Sequence, residues 1–266
     1  MILVTGATGL VGAHLVLALL QKGEKVRATY RTLSTIQKTE KLFHTLNHSD
    51  LFKNLEWMEA EITNIPALEI AFKDIDYVYH CAAVISFDDS DAEMMYKINT
   101  EGTANVVNLC LYYGIKKLCY VSSIAALGDL QPHETYITEE TDWNPEKPHS
   151  DYAISKYGAE MEIWRGQQEG LQVVVINPGI ILGPGFWKQG SGKLFSAVAN
   201  GLKFYTKGTS GYVSVNDVVN LLILAMSKID EKENGQRYIA IEKNYSYERI
   251  FNEIAIALKV GKPKFY

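Results

Sequence analysis

Tyr152 and Lys156 stand four residues apart in the stretch SDYAISKYGAE, residues 150–160. On a helix, positions i and i+4 share a face. A free tyrosine titrates near pH 10 and is a poor acid at neutral pH. An ammonium one turn away would stabilise the phenolate and draw that value down toward the range of a working general acid. The same spacing also suits a solvated helical face, so the pair takes its meaning from what the chain brings beside it. A second group is TGATGLVG, Thr5–Gly12, in which Gly6, Gly9 and Gly12 recur every three residues after an apolar strand. Gly6 permits a tight strand-to-helix turn, Gly9 lets the backbone approach a pyrophosphate, and Gly12 lets the helix pack close to the strand. Thr8, Leu10 and Val11 fill the loop between them, and the free N–H groups of the helix start would face the phosphates.

The next strand ends in RATYRTLS, with Arg31 where an acidic residue would bind the ribose 2′-OH of NAD. An arginine there can pair with a 2′-phosphate, and Lys38, about two turns into the following helix, can add a second positive charge. NADP(H) is therefore favoured, with NAD(H) as the alternative; a solvated surface arginine is the plainer reading of Arg31.

These residues need a frame. MILVTG, KVRATYR, LEWMEAEI, DYVYHCAAV, KKLCYVSSI and LQVVVIN read as strands. Helical patterns separate them, including a long helix from about Asp88 to Tyr113 and the one carrying Tyr152 and Lys156. That alternation predicts an α/β fold, a Rossmann-type doubly wound parallel sheet with helices on both faces. Runs such as DYVYHCAA are apolar at successive positions, as strands covered on both faces must be. Residues 128–150 form a polar loop too long for an idle connection. Residues 1–177 are read as the dinucleotide-binding domain, including the Tyr–Lys helix. Residues 178–266 are read mainly as a small C-terminal substrate lobe, partly interleaved with the sheet.

A chain of 266 residues with 47% hydrophobic and 21% charged residues is ordinary for a globular protein with one substantial core. A net charge of −5 without basic clusters argues against nucleic acid as a partner. No apolar run approaches the roughly 20 residues that span a bilayer; VVNLLILAM reads as a buried helix, and MILVTGATGL lacks the charged start of a secretory leader. Cys81, Cys110 and Cys119 are an odd count without metal-ligand spacing, which suggests reduced core thiols in a cytoplasmic protein and no metal. The partner expected is a small-molecule carbonyl substrate, and the assembly a monomer or homodimer.

The ordered series TGATGLVG, HCAA, INTEGT, YVSSIAALG, YAISK and NPGIILGPG resembles the extended short-chain dehydrogenase/reductases, within the epimerase/dehydratase family, over nearly the whole chain. VRATYR and NPGIILGPG most resemble its dihydroflavonol-reductase-like branch, whose members reduce carbonyls with NADPH. The resemblance implies that Tyr152 is the proton donor to the carbonyl oxygen and that Lys156 binds the nicotinamide ribose and lowers the tyrosine pKa. Ser123 would hydrogen-bond the substrate carbonyl, with Ser122 competing for the role, and Asn99 would help hold the lysine through a water. Ala82 and Ala83 would lie against the cofactor, Glu61 and Ile62 would flank the adenine, and Pro178 and Gly179 would turn beside the carboxamide. His80 is expected beneath the cofactor loop; His133 and His149 lie in the polar loop. Phe186, Trp187, Phe204 and Tyr205 either line a pocket or pack the lobe. Relatives of this kind usually continue with further helices beyond ALKVGKPKFY.

The first function expected is NADPH-dependent reduction of a ketone or aldehyde. The rivals are a nucleotide-sugar epimerase or dehydratase and a non-catalytic NADP(H)-binding module. VVVINPGIILGPG lacks the arginine that usually holds a sugar nucleotide, and a pure binding module has no need of Tyr152.

Overall fold

β-Branched and aliphatic residues fill the first strand so completely that all four of its positions are buried, which a sheet allows only when helices cover both faces. The computed structural model, describing residues 1–132, 134–230 and 233–264, shows that arrangement. The first half runs β1 (Ile2–Thr5), α1 (Leu10–Gln21), β2 (Val26–Tyr30), α2 (Ile36–Thr45), α3 (Ser49–Phe52), β3 (Glu56–Glu59), α4 (Ile65–Ala71) and β4 (Tyr77–His80). It continues with α5 (Ala92–Met95), a π-helical turn (Tyr96–Glu101), α6 (Gly102–Tyr112), β5 (Lys117–Val121), α7 (Asp151–Gln168) and β6 (Gln172–Pro178). The remainder is β7 (Ile180–Leu182), α8 (Gly192–Ala199), β8 (Thr209–Ser214), α9 (Val215–Lys228), β9 (Gln236–Ala240), β10 (Lys243–Ser246) and α10 (Tyr247–Leu258).

Seven strands form one sheet in the order β3-β2-β1-β4-β5-β6-β9, every pair parallel. The fold is a Rossmann-type α/β sheet. Alternate residues of each strand feed two cores. Val4, Ala28, Tyr79, Cys119 and Val174 pack with Leu15, Leu19, Val218 and Leu222 on the face covered by α1 and α9. Leu3, Val78, Leu118, Tyr120 and Val173 pack with Leu68, Phe72, Val107 and Ile163 on the other. The strand order reverses between β1 and β4. There the carboxyl ends diverge and leave the crevice in which such sheets bind ligands.

Three expected elements come out differently. DYVYHCAAV is a strand only over Tyr77–His80, because its partner β1 ends at Thr5, opposite His80, and offers no ladder beyond. LEWMEAEI shortens to Glu56–Glu59, the stretch β2 can pair. The helical run from residue 89 to 112 is interrupted by the π turn, which widens the coil around Asn99.

Beyond Pro178 the chain divides. β7, β8 and β10 make a separate three-stranded sheet, with β10 antiparallel to β8; Tyr212, Ile250, Phe251 and Ile254 form its core. The VVNLLILAM segment lies in α9, whose Val218, Val219, Leu222, Ala225 and Met226 are buried against the main sheet. β9 completes that sheet beside β6. No helix among the described residues is long and apolar enough to cross a membrane.

The closest packing in the first βα unit is between α1 and the turn before it. A Cβ on Gly12 would lie 2.2 Å from the Gly6 carbonyl oxygen, which is backbone and has nowhere to go. Gly12→Ala should therefore lower the unfolding free energy by about 1–3 kcal/mol through overpacking, read as a fall in the urea midpoint at unchanged slope.

Candidate active site

Gly6 opens the crevice with φ +69, a conformation that favours glycine, and a Cβ there would sit 2.6 Å from the Ala82 backbone nitrogen. Gly6 and Gly12 are thus required by the chain itself. Gly9 is different. Its φ of −100 suits any residue, and an added Cβ would meet only the Gly6 oxygen, at an ordinary 3.4 Å. The space above Gly9 is a cradle that a side chain would fill. It lies at the start of α1, whose N-cap provides no side-chain hydrogen bond and whose first turn holds no acidic residue. A free helix N-terminus with an open glycine suits the diphosphate of a dinucleotide, so the residues fit that group.

On the far side of the crevice, Ser150 starts α7 by accepting the Ala153 N–H at 3.2 Å, a cap that fixes where Tyr152 and Lys156 fall. Tyr152 is half-buried, and the Ser123 hydroxyl acts against the rise that burial imposes on it. Ser123 lies two residues beyond β5 and accepts the Ala125 N–H at 3.1 Å. Ser122 faces the other way, buried, and donates to Glu160 at 2.5 Å. The two serines are thus separated by strand alternation, and Ser123 is the one that meets Tyr152.

Lys156 is 1% exposed. Its Nζ donates to the Tyr120 hydroxyl at 2.5 Å and to the Val121 carbonyl at 2.9 Å. Burial pulls the Lys156 amine down to about 7, against the opposing charges of Glu160 and Cys81. Burial also raises Tyr152, with the Ser123 hydrogen bond pulling the other way. The Lys156 ammonium is engaged by Tyr120 and Val121.

The Thr103 hydroxyl also acts on Tyr120, whose ring stacks on His80 at 5.3 Å. Thr5 Oγ1 accepts the Ala82 N–H at 3.3 Å, so its proton is free for His80 Nδ1 at 2.7 Å. His80 Nε2 then carries the hydrogen and donates to Thr103 at 3.0 Å. Burial holds His80 down at about 3, so it stays neutral. Asn99 is 1% exposed and fully used: Oδ1 accepts the Val84 N–H at 2.8 Å, and Nδ2 donates to the Val84 carbonyl at 2.9 Å and to Ser155 at 3.0 Å. Asn99 clamps the loop after β4 to α7, the π turn aiming its side chain at Val84.

The rim of the crevice carries the other expected residues. Arg31 is 62% exposed, with Nη1 3.7 Å from Glu61 Oε1. Lys38 donates to Gln189 at 3.0 Å, which ties it to the segment after β7. Ala82 is half-buried and Ala83 exposed, both in the loop after β4. The Ile62 side chain is 4% exposed and turned into the core, where a Cβ on Gly102 would come within 2.6 Å of it. Pro178 is buried at the end of β6. Gly179 is required by the lobe, since a Cβ would strike the Gly211 carbonyl oxygen at 2.3 Å.

The model of the NAD dependent epimerase/dehydratase family matches residues 2–240. The chain belongs to that family. Its resemblance to the extended dehydrogenase/reductases holds, and it is an NAD(P)-dependent enzyme acting on CH–OH/C=O groups. The chain is 30% identical over 239 residues to sterol demethylase protein B of Methylococcus capsulatus, covering 89% of this chain and 68% of that protein. It is 29% identical over 269 residues to anthocyanidin reductase of Arabidopsis thaliana, covering 93% and 77%. The Thermus thermophilus UDP-glucose 4-epimerase, solved with NAD, superposes with a TM-score of 0.79 at 25% identity, covering 100% of this chain and 85% of that one. Reductases and epimerases of the epimerase/dehydratase family are thus both similar to it, and a nicotinamide cofactor is common ground.

Within this family frame, three residues escaped the reading of the sequence. Phe87 is 83% exposed and stands edge-on to the Tyr152 ring at 6.2 Å; a lone phenylalanine in SFDDSD carried a signal only in being apolar amid acids. Tyr120 was counted as strand filling. Glu160 carried the only strong signal, an acid four residues beyond Lys156. The other expected groups lie apart from the crevice or at its margin. His149 stacks on Trp143 at 3.8 Å and pairs with Asp129 at 3.2 Å, and His133 lies outside the described residues. Phe186 is buried against Ala13 and Leu42, Trp187 packs on Phe195, and Tyr205 packs against the lobe core. Phe204 is 64% exposed.

The Lys156 value has a consequence for stability. The folded protein holds this proton less tightly than the unfolded chain, whose lysine titrates at 10.5. Between about pH 7 and 10.5 the unfolded state binds the extra proton, so this group makes stability rise with pH, and its penalty is present in full below 7. Comparing urea midpoints at pH 7 and 9 should show a gain for the native protein that Lys156→Met lacks.

Proposed function

We propose that the chain is an NADPH-dependent reductase that converts a ketone or aldehyde to its alcohol. The observation that carries this reading is the convergence of Ser123, just past the carboxyl end of β5, on Tyr152 of α7, whose acidity the serine hydroxyl holds up against burial, across the crevice from the Gly9 cradle. When bound, the dinucleotide supplies the hydride. Gly6, Thr8, Gly9, Leu10, Val11 and Gly12 would hold its diphosphate, Arg31 its 2′-phosphate, with Lys38 beside it, and Ala82 and Ala83 its inner face.

Tyr152 gives the proton at its hydroxyl to the carbonyl oxygen. Ser123 accepts from Ala125, and its hydroxyl hydrogen, directed to Tyr152 in the absence of substrate, would turn to the same oxygen and steady the developing charge. Lys156, one turn behind on α7, contributes the positive charge that favours the phenolate left on Tyr152. Phe87 presents an apolar edge at the same place, which supports a substrate with an apolar body over a sugar nucleotide. Arg31 supports NADPH because no acid stands at the end of β2 to bind a ribose hydroxyl. The three cysteines are free thiols, two of them buried, which supports a reducing, cytoplasmic setting.

Two substitutions test this. Tyr152→Phe should abolish carbonyl reduction while dinucleotide affinity, read by fluorescence titration, stays within about twofold; unchanged turnover would remove Tyr152 from the reaction. Arg31→Asp should weaken NADPH far more than NADH, by about 1.5–3 kcal/mol for a lost charge-assisted bond. Tighter binding of NADH than NADPH by the native chain would shift the reading toward a nucleotide-sugar epimerase or dehydratase.

A further inference from the structure

Glu160 stands one helical turn past Lys156, so Tyr152, Lys156 and Glu160 follow one another at i, i+4 and i+8 along α7. Its side chain is completely inaccessible to solvent. A carboxylate in that position is costly unless its oxygens are matched. Here they are. Oε1 accepts from Ser122 Oγ at 2.5 Å and from Asn177 Nδ2 at 2.6 Å, and Oε2 faces Arg237 Nη1 at 3.3 Å.

The same partners reach the residues of the reaction. Ser122 is bonded through the peptide to Ser123, and Asn177 Nδ2 also donates to the Ser123 carbonyl at 2.9 Å. Two of the three groups on Glu160 thus grip the strand end that presents Ser123 to Tyr152. Arg237, on β9, donates from its remaining nitrogens to the carbonyls of Glu139 and Thr141, which fastens the 128–150 loop to the same ion pair. The titratable groups around Lys156 are Tyr120 on β5, His80 and Cys81 at the end of β4, and Tyr152 and Glu160 on its own helix. Glu160 is the one carboxylate among them.

We propose that Glu160 is a positioning residue: a buried counter-charge for Lys156 whose hydrogen bonds through Ser122 and Asn177 hold Ser123 against Tyr152. The catalytic consequence rests on the reductase reading; the electrostatic one does not. Burial lowers the lysine's hold on its proton, and the Glu160 charge one turn away opposes it.

The test is a lysine titration by NMR on the full chain labelled with carbon-13 at Cε, without cofactor or substrate. One lysine should titrate near pH 7, far below the rest, and be absent from Lys156→Met. In Glu160→Gln, which keeps the shape and removes the charge, its midpoint should move to lower pH. Turnover should fall about tenfold to a hundredfold through misplacement of Ser123, with the alkaline limb of the kcat profile moving the same way. A midpoint that stays in place overturns the proposal, whatever happens to turnover. If Glu160→Gln fails to fold, the double variant Glu160→Gln with Arg237→Met, which leaves no unpaired buried charge, is compared with Arg237→Met alone and must show the lower lysine midpoint. Absence of turnover in the native chain would count against the reductase reading alone, since the titration needs neither substrate nor cofactor.

Discussion

A lysine ammonium buried at the centre of a sheet protein sets the terms for everything around it. Lys156 has lost its water, and an unpaired charge in that position would cost several kcal/mol. The chain answers with the Tyr120 hydroxyl, the Val121 carbonyl and the nearby charge of Glu160. Each answer recruits others. Tyr120 needs Thr103, Thr103 needs Asn99 and His80, and His80 needs Thr5, which holds the backbone of Ala82. One buried charge therefore specifies a continuous polar seam from α7 through β5 and β4 to the mouth of the glycine loop. Residues that bind phosphate and residues that move a proton share a single hydrogen-bonded frame.

That seam runs through an otherwise apolar protein, and strand alternation is what keeps the two apart. Ser122 and Ser123 are adjacent, yet one feeds the buried carboxylate and the other the crevice. Tyr79 and Tyr120 lie on neighbouring strands, yet the first fills the core beneath α1 while the second turns to Lys156. A one-residue slip of β5 would exchange these faces, placing Ser123 in the core and stranding Lys156. The parallel pairing of β5 with both β4 and β6, five registered residues long on the β6 side, guards against that slip.

How much of this was legible follows from the range over which each constraint acts. Gly6 and Gly12 could be read because their demand is local: each is forced by backbone within a few residues or across one strand pair. The sheet could be read because strands covered on both faces must be apolar at successive positions. Lys156 and Tyr152 could be placed on one helix but not oriented, since Tyr120, which decides where the ammonium goes, is 36 residues away. The partners of Asn99 could not be read because a π turn, invisible in INTEGT, rotates it toward Val84. The burial of the Ile62 side chain could not be read because it depends on Gly102, forty residues away. The β7–β8–β10 sheet escaped notice since its strands are short and half-exposed, with none of the two-faced apolar signature of the main sheet. β9, though, carries QRYIA, and its arginine proves more informative than its hydrophobics.

Arg237 also bears on how the two halves of the chain cooperate. It comes from the C-terminal quarter, pairs with a carboxylate on the helix of Tyr152, and holds the carbonyls of Glu139 and Thr141 in the long polar loop. Ile239, two residues on, donates its N–H to the Glu139 carboxylate. The loop is therefore tied at one point to an edge strand by side chain and backbone together, while Tyr136, three residues before that point, is 80% exposed. The anchor of this loop is the ion pair behind Lys156, so displacement of Glu139 and Thr141 must strain Arg237, and through Arg237 the carboxylate that steadies Ser123.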